Sequence, residues 1–233
     1  MANSSDPLDL YAKVEDLLGV KEAAPALYAH YLLFLNTVEF DTLLDVGCGS
    51  GDFLRQMQGA LDIPRVKGID LSPFMVAQTL EQGYEAECID LCDLEGTYDV
   101  ITAVFDMLNY LNKEQLTRFL TCVKEHLNEG GYFLCDINTL YGFENVAVGA
   151  YIVDDENRFL AIDSDFENGK YIAEFTLFEK KGKCFTRSQE CIAQFFHTSE
   201  SLKALSQMSC IMDEPIHLYT EETDKRILVF QKV

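Results

Sequence analysis

Residues 43–53 read LLDVGCGSGDF: a short apolar run leads into three glycines set two apart, Gly47, Gly49 and Gly51. Glycine enters the left-handed backbone without steric cost, so such a run turns sharply and lets a ligand lie directly against the main chain. Asp70 follows Gly51 by 19 residues and closes a second apolar run, VKGID. A carboxylate at the tip of the next strand suits the two hydroxyls of a ribose. The GxGxxG fingerprint of dinucleotide sites would need its third glycine at position 52, which is Asp52. The pattern is GxGxG, on a strand that turns into a helix.

The rest of the chain extends that unit. Apolar, strand-like runs at 42–46, 66–70, 84–89, 98–105 and 131–137 alternate with helical patterns at 51–59, 73–82 and 113–127. In the last of these Leu116, Phe119, Leu120, Val123 and Leu127 share one face, and Gly130-Gly131 is expected to end the helix. Strand alternating with helix implies a parallel sheet with right-handed crossovers, whose ligands gather at the carboxyl ends of the strands. Two helices precede it. One is expected to start at Asp6-Pro7 with Leu10, Val14, Leu17 and Leu18 on one side, the other at Pro25 with Leu27, Tyr31, Leu32 and Leu35.

Between 146 and 197 the period changes to two. Tyr171, Ala173, Phe175 and Leu177 alternate with Ile172, Glu174, Thr176 and Phe178, and turn signals fall at 154–157, Asn168-Gly169 and Lys181-Gly182. An inserted antiparallel meander of about four strands is expected there. A short helix at 199–208 and strands at 209–218 and 226–232 complete the chain. The expected organisation is a helical lid at 1–40, an α/β domain at 41–145 and 198–233, and a β cap at 146–197.

Composition narrows the function. A chain of 233 residues, 48% of them hydrophobic, buries the core of one domain plus a small insertion. No apolar run reaches the ~18 residues of a membrane span, and MANSSDPLDLYAK has no basic region or apolar core of a secretion signal. The net charge of −21, with 18 Lys and Arg and no cluster among them, repels phosphate backbones and argues against a nucleic-acid partner. The eight cysteines form no CxxC pair, so they are expected to be free thiols in a cytoplasmic protein, with no metal site.

GxGxG and the acidic strand end, followed by CIDLCDL at 88–94 and YDVITAVFDMLNYL at 98–111, resemble the ordered motifs of the class I S-adenosylmethionine (SAM) dependent methyltransferases, small-molecule branch. The resemblance implies a Rossmann-like fold with a mostly parallel seven-stranded sheet flanked by helices. It implies SAM as methyl donor, S-adenosylhomocysteine (SAH) as product, and in-line displacement onto a small-molecule acceptor. It also implies roles. Gly47, Cys48, Gly49 and Gly51 would carry the methionine moiety and Asp45 its ammonium group. Asp70 would take the ribose, with Leu71, Asp90 and Leu91 around the adenine and Phe105 at the methionyl end. Tyr11, with Tyr28 or Tyr31, would close over the donor. Asn109, Tyr110, Asn138 and Tyr141 are acceptor-pocket candidates. Asp106, Asp136 and His197 are candidate bases, needed if the acceptor must lose a proton. The D/N-P-P-Y/F signature of nucleic-acid amino methyltransferases is absent. RNA or protein acceptors, a SAM-binding protein without catalysis, and a monomer or homodimer all stay open.

Overall fold

The computed structural model describes residues 6–233, with side chains from Leu10 onward. Its centre is a seven-stranded sheet of β1 (Thr42–Val46), β2 (Arg65–Asp70), β3 (Glu85–Cys88), β4 (Tyr98–Ala103), β5 (Leu127–Asn138), β10 (Ser209–Ile216) and β11 (Lys225–Gln231), in the order β10-β11-β5-β4-β1-β2-β3. Strands β1 to β5 pair in parallel, while β11 runs antiparallel to both β5 and β10. The strands between β10 and β2 are covered on both faces, which is why their sequences read as apolar runs. Leu43 faces α2 (Val20–Leu35) and α3 (Asp52–Ala60), while its neighbour Leu44 faces α5 (Lys113–His126) and α6 (Ser199–Ser206).

The second sheet is the antiparallel meander β6 (Gly149–Asp155), β7 (Arg158–Glu167), β8 (Lys170–Lys181) and β9 (Cys184–Phe195). Asn168 and Gly169 both adopt positive φ between β7 and β8, which matches the twist of the flanking strands. One face of this sheet packs on α1 (Asp6–Val14): Leu10 and Val14 lie against Leu160, Ile162, Ala173, Phe175 and Ile192. The two N-terminal helices thus serve different sheets, α1 the meander and α2 the parallel sheet. The capping role expected of Asp6 lies outside the described side chains.

Several expectations are corrected. The second helix starts at Val20, behind a left-handed Gly19, and Pro25 lies inside it. There the proline removes one backbone bond from a helix whose buried side, with Leu27, Tyr31 and Leu35, holds it to the sheet. Helix α5 ends at His126, and Leu127 opens β5. Gly130 and Gly131 lie within that strand, near a register shift between β4 and β5. A Cβ at Gly131 would meet the carbonyl oxygen of Asp99 at 2.8 Å, so close approach of two strands, not helix termination, calls for the glycine. Cys92 and Cys122 form a disulfide, 30 residues apart in sequence and brought together where the turn at Leu91–Asp93 packs on α5. Long-range packing creates that pairing, and sequence spacing cannot reveal it. Among the described residues no helix is long and apolar enough to cross a membrane.

Candidate active site

The glycine turn joins β1 to α3 and rests on β2: the amides of Gly47 and Cys48 donate to the carbonyl of Ile69 at 2.8 and 3.0 Å. Gly47, Gly49 and Gly51 all take positive φ. A Cβ at Gly51 would meet Thr79 at 2.9 Å, while one at Gly49 would enter open space, so Gly49 leaves its backbone bare on the side where a ligand can lie. Gly68 was not singled out by spacing, yet a Cβ there would strike the Cys48 sulfur at 2.6 Å. Cys48 itself is buried and packs the turn onto β2.

The carboxylates around this turn are held in place. Asp70 accepts from the amide of Gly49 (3.0 Å) and from that of Ser72 (2.8 Å), so it joins the glycine turn to the start of α4 (Pro73–Glu81). Asp45 is buried at the end of β1 and accepts from the Thr102 hydroxyl at 2.6 Å. Burial pushes its carboxyl up to about 7, against the pull of the Thr102 bond and with a further push from Asp70. A buried carboxylate beside this turn, bonded by a neutral hydroxyl, would suit a cationic group as counter-charge. Asp90 caps the amide of Cys92 at 2.9 Å and faces Arg118 of α5 at 3.3 Å. Leu71 is exposed and open to a ligand, whereas Leu91 is buried in the core and turns away from that surface.

A second region lies at the ends of β4 and β5. Phe105 and Asp106 follow β4 with φ of 54° and 49°. Two successive non-glycine residues in the left-handed region cost on the order of 1–3 kcal/mol each, a strain that collects at functional sites. The Phe105 ring packs edge-on against Tyr28, 5.7 Å between centroids. Asp106 is aimed inward: one oxygen is bonded by the Lys225 ammonium and the other accepts from Gln194 of β9 at 2.6 Å. Asp136, fully buried on β5, accepts from Tyr31 (2.7 Å), from the Asp106 amide (2.9 Å) and from Lys225 (3.2 Å). Burial pushes Asp106 up, opposed by Lys225 and aided by Asp136. Burial alone would lower Lys225, but the two carboxylates more than offset it, so the lysine is held as the cation.

Asp106, Gln194 and Lys225 line a cavity of about 460 Å³ together with Tyr11, Tyr110, Asn138, Tyr171 and Tyr219. Met107, next to Asp106, would lie 3.0 Å from a Cβ on Gly47, so the cavity and the glycine turn adjoin. Tyr11, expected over the donor, lies in this cavity with its ring edge-on to Phe175 of the meander. Tyr31 is fully buried beneath Asp136, a position that excludes it from a lid. Asn109 is also buried: it donates to the Phe195 carbonyl at 2.8 Å and accepts from the Asn138 amide at 3.0 Å, tying β5 to β9. His197 bonds the Leu111 carbonyl at 2.8 Å, and burial lowers its proton affinity. Neither His197 nor Tyr141 lines the cavity.

Residues 43–131 match the family model of a methyltransferase domain. The match takes in the glycine turn, Asp70, Asp90 and Asp106, and stops before Asp136, Gln194 and Lys225. No curated protein sequence matches the chain. Solved structures do. A SAM-dependent methyltransferase from Clostridium acetobutylicum shares 21% identity over 97% of this chain and 98% of its own, with a TM-score of 0.77. The sugar N-methyltransferase KedS8 from Streptoalloteichus shares 17% over 97% and 92%, at 0.73. CalS10, an amino pentose methyltransferase from Micromonospora echinaspora bound to SAM, shares 21% over 91% of each chain, at 0.67. The fold of this chain is therefore that of these solved methyltransferases.

Lys225 and Asp224 escaped sequence reading. Lys225 stands in the polar stretch Thr223–Arg226, just ahead of the apolar run of the last strand, where a lysine reads as exposed. Asp224 is buried and accepts from the amides of Leu218, Tyr219 and Thr220, shaping the loop that carries Tyr219 to the cavity. The one available signal was their position at the reversed end of the last strand, opposite Asn138.

Proposed function

We propose that this methyltransferase acts on an amine of a small molecule held in the cavity, with Asp106 as general base. The observation that carries the reading is the Asp106-Met107 pair, in which Asp106 lines a tyrosine-rich cavity while Met107 abuts Gly47 of the glycine turn. When bound, SAM supplies a methyl group on a positively charged sulfur, already activated for displacement. The backbone at Gly47, Gly49 and Gly51 would hold its methionine part, Asp45 the ammonium group, Asp70 the ribose, and Leu71 and Asp90 the adenine.

The protein's own residues supply alignment, dryness and a proton acceptor. A protonated amine has no lone pair with which to attack. Asp106, whose proton affinity burial raises, takes that proton and leaves the amine neutral. The tyrosines give the acceptor an apolar wall with polar tips and exclude water from the reacting atoms. Holding donor and nucleophile in line can contribute up to roughly 7–11 kcal/mol of the barrier reduction. The net charge of −21 draws cationic acceptors and repels anionic ones. Similar structures are described as sugar and amino pentose methyltransferases, which agrees with an acceptor that carries an amine on a polar ring.

Calorimetric titration with SAM and SAH, on wild type and on Asp70→Asn, tests the donor side. Binding near micromolar that weakens strongly in the variant is expected, and no binding to either nucleoside sinks the reading. Following SAH release over panels of amines and carboxylates tests the acceptor side. Preference for carboxylates would overturn the amine assignment.

A further inference from the structure

Two carboxylates and one lysine meet beside the cavity, which Asp106 and Lys225 line, and the lysine comes from a strand antiparallel to its neighbours. Lys225 is the first residue of β11, paired with Asn138 at the end of β5. Because β11 is antiparallel, its beginning lies where the parallel strands finish, beside Asp106 and Asp136. The ammonium group is 2% exposed and bonds one oxygen of each carboxylate. We propose that Lys225 is the positioning residue of the acceptor site, setting both the aim and the charge of Asp106 by bonding it and Asp136 at once. The inference rests on the amine-methylating reading above.

The geometry separates this role from simple ion pairing. Asp106 sits on strained, left-handed backbone, and each of its carboxylate oxygens has its own partner: Lys225 for one, Gln194 of the meander for the other. Lysine thus fixes the carboxylate against the α/β sheet while glutamine fixes it against the cap. Asp136 is committed elsewhere, to the Tyr31 hydroxyl and to the Asp106 amide, so its charge cannot move away from its neighbour. With Lys225 the trio carries one net negative charge. Without it, two buried carboxylates would face each other with no cation between them, which pushes Asp106 further toward its protonated form. A protonated Asp106 cannot accept the proton of an incoming ammonium. The other groups that bear on Asp106 are the hydroxyls of Tyr11 on α1, Tyr110 beyond β4, Tyr171 on β8 and Tyr219 before β11. Every one of them is pushed upward by burial and stays neutral, so Lys225 is the cation that answers Asp106.

The test compares Lys225→Met, Lys225→Arg, Asp106→Asn and the double variant Asp106→Asn/Lys225→Met in the full chain. Carbon-13 NMR of labelled aspartate carboxyls, assigned with Asp106→Asn, reads the Asp106 titration directly. In Lys225→Met its midpoint should rise by at least about one pH unit, and Lys225→Arg should hold it near the wild-type value. SAH affinity, read by calorimetry, should stay within about threefold in every variant. With an accepted amine, kcat of Lys225→Met should fall by at least about tenfold, and the acidic limb of its pH profile should move up with the NMR midpoint. An unmoved midpoint in Lys225→Met overturns the proposal. If Lys225→Met does not fold, the double variant should, because one buried carboxylate is left in place of two, and the Tyr31 hydroxyl and the amide of residue 106 still bond it; equal misfolding of both overturns it as well. Failure of wild type to bind SAH sinks the methyltransferase reading instead and leaves the titration result standing.

Discussion

The proposed donor side and the proposed acceptor side of this molecule are built from different materials. Around Gly47–Gly51 the site is backbone: bare glycine surface, amides and two strand-end carboxylates, all drawn from residues 43–70. Around Asp106 it is side chain: tyrosines, a glutamine and a lysine gathered from α1, β8, β9 and β11. Backbone surfaces tolerate few replacements and suit a constant ligand, while side-chain walls can be changed one at a time. A shared donor and a variable acceptor would impose that division.

Substitutions that strike one side should leave the other intact, and the largest effect should come from Asp106. Asp106→Asn should lower turnover of an accepted amine by about 10²–10⁴-fold, the usual worth of a general base. Its SAH affinity, measured by calorimetry, should remain near wild type; parallel loss of both would erase the division. Gly49→Val should do the opposite. Its side chain would occupy the open space beside the turn at a φ of 54°, weakening SAM binding by about a hundredfold, roughly 2.7 kcal/mol. The left-handed strain should cost a further 1–2 kcal/mol or so of stability, visible in denaturant unfolding.

Asp45 sharpens the donor side through pH. Its carboxyl lies at about 7 in the folded protein, above the unfolded value near 3.8. The native state therefore holds a proton that the unfolded chain has released, and stability falls as pH rises between those values. An ammonium group bound at Asp45 favours the ionised form. SAM affinity should then strengthen by up to about tenfold per pH unit on approach to 7 and level off above it. Calorimetry in buffers of different ionisation enthalpy should detect the released proton, and Asp45→Asn should abolish it.

Smaller effects concern the supports. Reducing the Cys92–Cys122 disulfide removes a cross-link behind the turn that bears Asp90, and about 2–4 kcal/mol of stability with it. A lowered Tm in dithiothreitol would show it, and an unchanged Tm would mean that the thiols are unpaired in solution. His197→Gln should be the mildest change. One bond to the Leu111 carbonyl is at stake, worth about 1 kcal/mol, and turnover should hold.

The same division explains what could be read from the sequence. Gly47, Gly49, Gly51 and Asp70 lie close together in sequence, and the strand–turn–helix geometry fixes their spacing. The alternation of periods in turn located the parallel sheet and the meander. Lys225 and Gln194 had no such spacing: each reaches Asp106 across a long separation, from strands whose register only the folded sheets define. Tyr31 reads as a lid candidate and Asn109 as a pocket candidate because a polar residue that serves a ligand and one that serves the core share the same letters; partners at 2.7 and 2.8 Å set both inside. The cysteines misled for the same reason, since Cys92 meets Cys122 only once the turn at Leu91–Asp93 has docked on α5.

The lateness of Lys225 also matters while the protein is being made. A ribosome produces Asp136 89 residues before the lysine that answers it, and Asp106 earlier still. Until β11 docks, the carboxyl ends of β4 and β5 hold two carboxylates that must keep their water, so the chain cannot close over them. The arrival of one cation lets that water leave. Drying of these strand ends would then come late in assembly, and chains that fail to reach it would stay loose there and open to proteases.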